Sequence, residues 1–392
     1  MHPSNSNRKS FTLPLGILEE EAPLVDLKLT TEGLELIVPD DYEQLVLATE
    51  LSGEVFAIQR LLAMSRLGIP ITVRWASTIC QRLPEITRLQ PLLAVVLMLQ
   101  GVSHKLCGLE VSQADQMLAN ARNGVLKHRL IKDLFSPSQL LLCADSRGHG
   151  RPEQLYLSRG GALRPRSHFE TLVQDVLATE LKATGDTAKQ FKWAENLGVI
   201  VAELFENTDM HAMTDLSGAR FSTNAMRGLM FKRIQLTVQV RGTDHKLKEV
   251  QKDCLEISVF DTGLGYFRSL TRSEEKHDID FEWRVLHKCL ERHFDKDIPD
   301  GRPAHRALGL AEVLRALQTL AGRIEIRTGR TFGYRSFVEG ELQAQMLPPG
   351  SELSRFSWPR PKLLDVTKKY VAIPTAHEDT VGSAIRVVVP LN

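Results

Sequence analysis

Cysteine is scarce and scattered in this chain. The five residues Cys80, Cys107, Cys143, Cys254 and Cys289 are an odd number and form no CxxC pair, a pattern that fits reduced thiols in a cytosol better than a disulfide framework. Net charge is nearly absent as well. Lys and Arg total 49 against 48 Asp and Glu, leaving +1, so no global field draws the chain to nucleic acid or to a membrane. Long apolar runs are missing: the most apolar stretch, PLLAVVLMLQGV at residues 91–102, is too short to span a bilayer. The opening MHPSNSNRKSF lacks the hydrophobic core of a secretory signal. The expectation is a soluble cytoplasmic protein with no membrane segment.

What is present suits a globular protein. Over 392 residues, 43% are hydrophobic and 25% charged, enough for two domains or for one large domain with a smaller one attached. Residues 25–39, VDLKLTTEGLELIVP, alternate apolar and polar around a TTEG turn and predict two paired strands. Asp40 is placed to cap a following helix, with Glu43 three residues on completing a capping box. Leu45, Ala48, Leu51, Val55, Ile58 and Leu62 then recur at helical spacing up to Gly68. ITVRW (71–75) predicts a strand, and the pattern after it is helical to about Leu106. No motif in this part names a chemistry.

Between residues 122 and 166 nine Lys or Arg stand against three Asp or Glu, among the pieces SRGHG and SRGGALRPR. That balance can be an electrostatic footprint for nucleic acid. It equally fits a solvated connection, because these arginine–glycine pieces carry no aromatic rings for base stacking. A boundary is expected near residue 160, separating an N-terminal α/β regulatory or partner-binding module (1–160) from a second domain (161–392). In the second part the order is two helices, two strands, a loop with a helical insert, a helix and two more strands. This order predicts an α+β sandwich with helices on one face of a mixed sheet.

Three segments of the second part hold unusual residues. In AELFENTDMHA (202–212), Glu203 and Asn207 sit one helical turn apart at the edge of the stripe formed by Leu197, Val201, Leu204 and Thr208. Such a carboxylate–amide pair could bind a metal or activate water; it also fits an amphipathic helix whose polar side happens to hold both. The strand LEISVF runs into Asp261, Thr262, Gly263, Leu264 and Gly265, a tight turn where backbone can approach a ligand. The third glycine of a dinucleotide-binding fingerprint is missing there. Gly309 and Leu310 open a helix whose free N–H groups could face a phosphate.

In combination, an ExxxN helix, a strand ending in DxGxG, a helix opening on Gly-Leu and followed by GRIEIRTG, and a final GSAIRVVVP resemble the GHKL superfamily, the Bergerat-fold ATP-binding domain of gyrase, histidine kinases and mismatch-repair ATPases. The resemblance spans about residues 166–392. It implies a Bergerat-type sandwich that binds ATP and Mg²⁺. Glu203 would polarise the attacking water, Asn207 would ligate Mg²⁺, and Asp261 would accept a hydrogen bond from the adenine amino group. Gly263 and Gly265 would shape the adenine side, while Gly309 and Leu310 would hold the phosphates through their backbone. Gly382 and Ser383 fall where the family has Gly-Thr, and Ser383 keeps the hydroxyl.

Some positions depart from that family. Met210 stands where histidine kinases usually carry Lys or Arg, and His305 and Ala307 occupy places the phosphate box gives to glycine. His168 lies only 39 residues before Asn207, too near to be the acceptor histidine of a separate hairpin, and reads as a helix-start residue. His287 and His293 are six apart and cannot share a helical face with Cys289 around zinc. DKDIPDG (295–301) has Pro299 where a calcium ligand is needed. The proline-rich insert 339–380 could contact the N-terminal module or be a surface excursion. The resulting expectation is an ATPase used as a nucleotide-dependent switch with a protein partner or through self-association. A protein kinase of the histidine-kinase or anti-sigma type and a non-hydrolysing nucleotide-gated module remain the alternatives.

Overall fold

The computed structural model describes residues 10–12, 34–42, 54–66, 68, 70–128, 138–145, 150–158, 161–178, 186–221, 225–241, 247–275, 277–290, 309–337, 363–367 and 373–391. It is a mixed α+β protein with two sheets. In the N-terminal part, β1 (Ser10–Thr12), β2 (Leu34–Val38), β3 (Ile71–Trp75) and β4 (Val102–Leu106) form a parallel sheet in the order β1-β2-β3-β4. Helix α1 (Glu54–Arg66) precedes β3; α2 (Ser77–Gln81), α3 (Leu83–Leu89) and α4 (Pro91–Met98) precede β4, and α5 (Val111–Leu126) follows it.

Several local expectations change here. The first half of the anticipated hairpin, 25–33, lies outside the described residues, and both edges of β2 are taken by the parallel partners β1 and β3. Glu43 also lies outside them. Asp40 accepts the Thr78 amide at 3.1 Å and the Thr78 hydroxyl instead, so it braces the start of α2. The helical reading up to Leu106 gives way to β4, because Gly101 turns the chain at φ +72° and VSHKL then pairs with β3. The apolar run 91–98 forms α4, buried along its whole length. Among the described residues no helix is long and apolar enough to cross a membrane.

The second sheet has seven strands in the order β10-β9-β8-β11-β7-β6-β5. These are β5 (Ser138–Ala144), β6 (Met226–Arg241), β7 (Leu247–Asp261), β8 (Arg323–Gly329), β9 (Thr331–Ser336), β10 (Leu364–Asp365) and β11 (Thr380–Pro390). Every pairing in it is antiparallel, which corrects the expected mixed sheet. Strand direction here is set by long-range neighbours such as β11 between β7 and β8, and local alternation carries no signal for it. β5 precedes the boundary expected near residue 160 yet belongs to this sheet, as does β10 within the 339–380 insert.

Period-two alternation divides the sheet into two buried faces. Leu141, Leu229, Phe231, Leu255, Ile257, Val259, Ile326 and Val387 pack with α6 (Arg166–Val176), α7 (Thr187–His211), α9 (Ile279–Cys289) and α10 (Gly309–Thr319). Short α8 (Gly265–Thr271) follows β7. Leu140, Leu142, Met226, Met230, Phe260 and Ala384 point the other way, into one continuous core with Val55, Ile58 and Leu62 of α1 and with α4. Each fully buried side chain of this size contributes about 1.5–3 kcal/mol, so the N-terminal part and the sheet share a large stabilising contact.

Within the basic segment the described arginines have intramolecular partners. Arg122 donates to the Leu97 carbonyl, Arg164 to the Glu153 carbonyl, and Arg151 and Arg166 pair with Asp145 and Glu203.

Candidate functional site

Helix α7 organises the site. Asp186 caps it by accepting the Ala188 amide at 2.9 Å. Ala194, Leu197, Val201, Leu204, Phe205 and Thr208 are its buried stripe. Glu203 and Asn207 lie at the edge of that stripe, both half-buried, as their i,i+4 spacing dictates. The start of α10 meets them there: a Cβ added to Gly309 would lie 3.2 Å from Glu203 Oε2 and 3.4 Å from Asn207 Nδ2. Leu310 is buried in the core and anchors this helix end. Arg166, the first residue of α6, brings Nη1 to 3.4 Å from Glu203 Oε1. Burial pushes the Glu203 carboxyl above its ordinary value, and the Arg166 cation opposes that shift.

Strand ends make the other half. β7 finishes at Asp261, which is 5% exposed. Its Oδ1 accepts the Gly263 amide at 2.8 Å and its Oδ2 accepts the Ser383 hydroxyl. Burial raises the Asp261 pKa above its usual value, against the pull of the Ser383 and Gly263 hydrogen bonds. Gly382 closes the loop: its amide donates to the Gly263 carbonyl at 2.8 Å, and at φ +63° an added Cβ would sit 2.0 Å from the Asp261 carbonyl oxygen. Only glycine fits there. Thr328, at the end of β8, accepts the Tyr266 amide at 3.0 Å and donates to the Gly382 carbonyl at 3.2 Å, which joins the Gly265 turn to the same loop.

The halves meet through α7. Gly263 packs on Ala212, where an added Cβ would come within 2.4 Å of the Ala212 Cα. Ala212 follows directly on α7, nine residues or about 13 Å of helix beyond Glu203. One helix therefore runs from the carboxylate–amide pair to the Asp261 loop.

Sequence reasoning missed the support behind this arrangement. Arg227, 1% exposed, faces Asp261 across the β6–β7 register. It holds Asp145 through two hydrogen bonds of 2.7 and 2.9 Å and Asp209 through one of 2.8 Å, while the Tyr156 hydroxyl donates to Asp209 at 2.7 Å. Removing one member of such a buried ionic group costs roughly 3–5 kcal/mol. The network pins the end of α7 to β5 and β6. An arginine at a strand start gives no sequence signal for it.

The decoys are occupied elsewhere. His168 Nε2 meets the Gln154 carbonyl at 2.8 Å. His287 uses Nδ1 on the Trp283 carbonyl and Nε2 on the Leu363 amide. His293, residues 295–301, His305 and Ala307 lie outside the described residues. Among the described residues no group of three or more His, Cys, Asp or Glu is gathered for a metal. Magnesium bound chiefly by phosphate oxygens and water needs only one or two protein ligands, so the Asn207 amide oxygen beside Glu203 suits that role. The chain matches no protein-family model, no curated protein and no solved structure.

Proposed function

We propose that this protein binds ATP with Mg²⁺ and hydrolyses it as a GHKL-type ATPase, using nucleotide state as a conformational switch toward a protein partner or a second copy. The observation that carries the reading is the convergence along α7 of two chemically different halves. Asp261 presents a buried carboxylate at the strand end, an acceptor suited to an exocyclic amine; a ligand that buries a polar group there without a matching partner loses about 1–3 kcal/mol, which supports selectivity for adenine. At the other end, the first N–H groups of α10 favour anionic phosphate. Asn207 would ligate magnesium, which when bound would neutralise charge on the phosphates.

Glu203 supplies the base. It accepts a proton from water as the water oxygen attacks the terminal phosphorus, and ADP and inorganic phosphate leave. Arg166 opposes the effect of burial and so favours the ionised, competent form of Glu203. Glu203→Ala tests the assignment: ATP affinity by titration calorimetry stays within about twofold, and phosphate release falls by about 10²-fold or more. Hydrolysis at the wild-type rate in that variant refutes it.

A further inference from the structure

The reverse side of the sheet is where the N-terminal part reaches the site. Helix α1 lies across it with an apolar stripe, but polar side chains, Gln59 and Arg66 among them, interrupt that contact. Gln59, fully buried, donates from Nε2 to the carbonyls of Arg327 at 3.2 Å and Val381 at 3.3 Å. Arg327 immediately precedes Thr328, and Val381 immediately precedes Gly382. Arg66 donates from Nη1 to the Thr262 carbonyl, between Asp261 and Gly263. Its guanidinium also lies 3.9 Å over the Phe221 ring, in the loop after α7.

Residues 59 and 66 are seven apart and share one side of the helix. A single helical face thus grips the backbone of all three segments that hold Asp261: 261–263, 327–328 and 381–383. Burying a carboxamide is unfavourable unless it is hydrogen-bonded. The bonds go to main-chain carbonyls, so they fix the position of the loops themselves.

We propose that α1 is the back wall of the adenine end, with Arg66 and Gln59 as positioning residues that hold the Thr262 and Val381 carbonyls where Asp261 and Ser383 must stand, so that docking of the N-terminal part and occupancy of the pocket are coupled. This rests on the adenine-nucleotide reading. Linkage makes the coupling reciprocal: whatever loosens α1 weakens nucleotide binding, and nucleotide tightens α1.

The test uses the full chain as wild type, Arg66→Ala and Arg66→Lys, titrated with ATP, ADP and adenosine, beside hydrogen exchange over residues 54–66 with and without ADP. Arg66→Ala weakens all three ligands by the same factor, about tenfold, since the base end is what is disturbed. Neutral adenosine suffers equally, which separates an effect at the base end from the loss of attraction to phosphate. Arg66→Lys, which keeps a donor but cannot lie flat on Phe221, recovers part of the affinity and carries the comparison if the alanine variant fails to fold. ADP slows exchange in α1 of the wild type and does so less in Arg66→Ala. Affinities equal to wild type, a loss confined to ATP, or α1 exchange indifferent to ADP would overturn the inference. A wild type that binds none of the three ligands would instead overturn the nucleotide reading itself.

Discussion

The two halves of the site are built by opposite means. Around Asp261 the parts are strand ends locked by short backbone bonds, with no room for an added methyl at Gly382 and a carboxylate 5% exposed. Around Glu203 the parts are side chains on packed helices. Glu203 keeps 20% of its side-chain surface in solvent, and its partner Arg166 keeps 45%. A buried, hydrogen-bonded loop cluster selects a ligand by the cost of unmatched polar groups. An open helical rim allows side chains to move as charge develops. The contrast fits the proposed nucleotide site, with the base held at the rigid side and the chemistry at the solvent edge.

The comparison can be broken at its rigid side first. Gly382→Ala forces a side chain into the left-handed region and into the Asp261 carbonyl. The strain, roughly 1–3 kcal/mol before the clash is counted, lowers the melting temperature by about 5 °C or more and abolishes adenosine binding. Adenosine affinity equal to wild type would show that this loop does not hold the base end. The open side responds more gently. Arg166→Ala leaves adenosine affinity unchanged but removes the cation that opposes burial at Glu203. The raised carboxyl pKa climbs further, a base must be ionised to act, and the acid limb of the turnover profile therefore moves to higher pH. An acid limb that stays in place would separate Arg166 from Glu203.

The same contrast governs what could be read from the sequence. Glu203 and Asn207 were legible because i,i+4 spacing is local, and Asp261 with its glycines because a strand ending in a glycine turn is local. Ser383 could be matched to Asp261 only through the family resemblance, since 122 residues separate them. β5 escaped notice because SQLLLCA is buried on both faces and so lacks alternation. The Arg227 network and the grip of Gln59 and Arg66 join residues 18 to 322 positions apart, and no local pattern encodes such pairings. The antiparallel course of the sheet was hidden for the same reason.

Adenosine binding to wild type and Asp261→Asn, measured calorimetrically alongside thermal unfolding, tests the account most directly. Folding raises the Asp261 pKa, so this group favours the folded state only while protonated, and that contribution is lost as pH rises through its folded value. Once the group is ionised the buried charge costs stability, so above that value the Asn variant should melt no lower than wild type while losing adenosine affinity by about 100-fold or more. A folded Asn variant that binds adenosine as wild type does would contradict the claim that Asp261 reads the base.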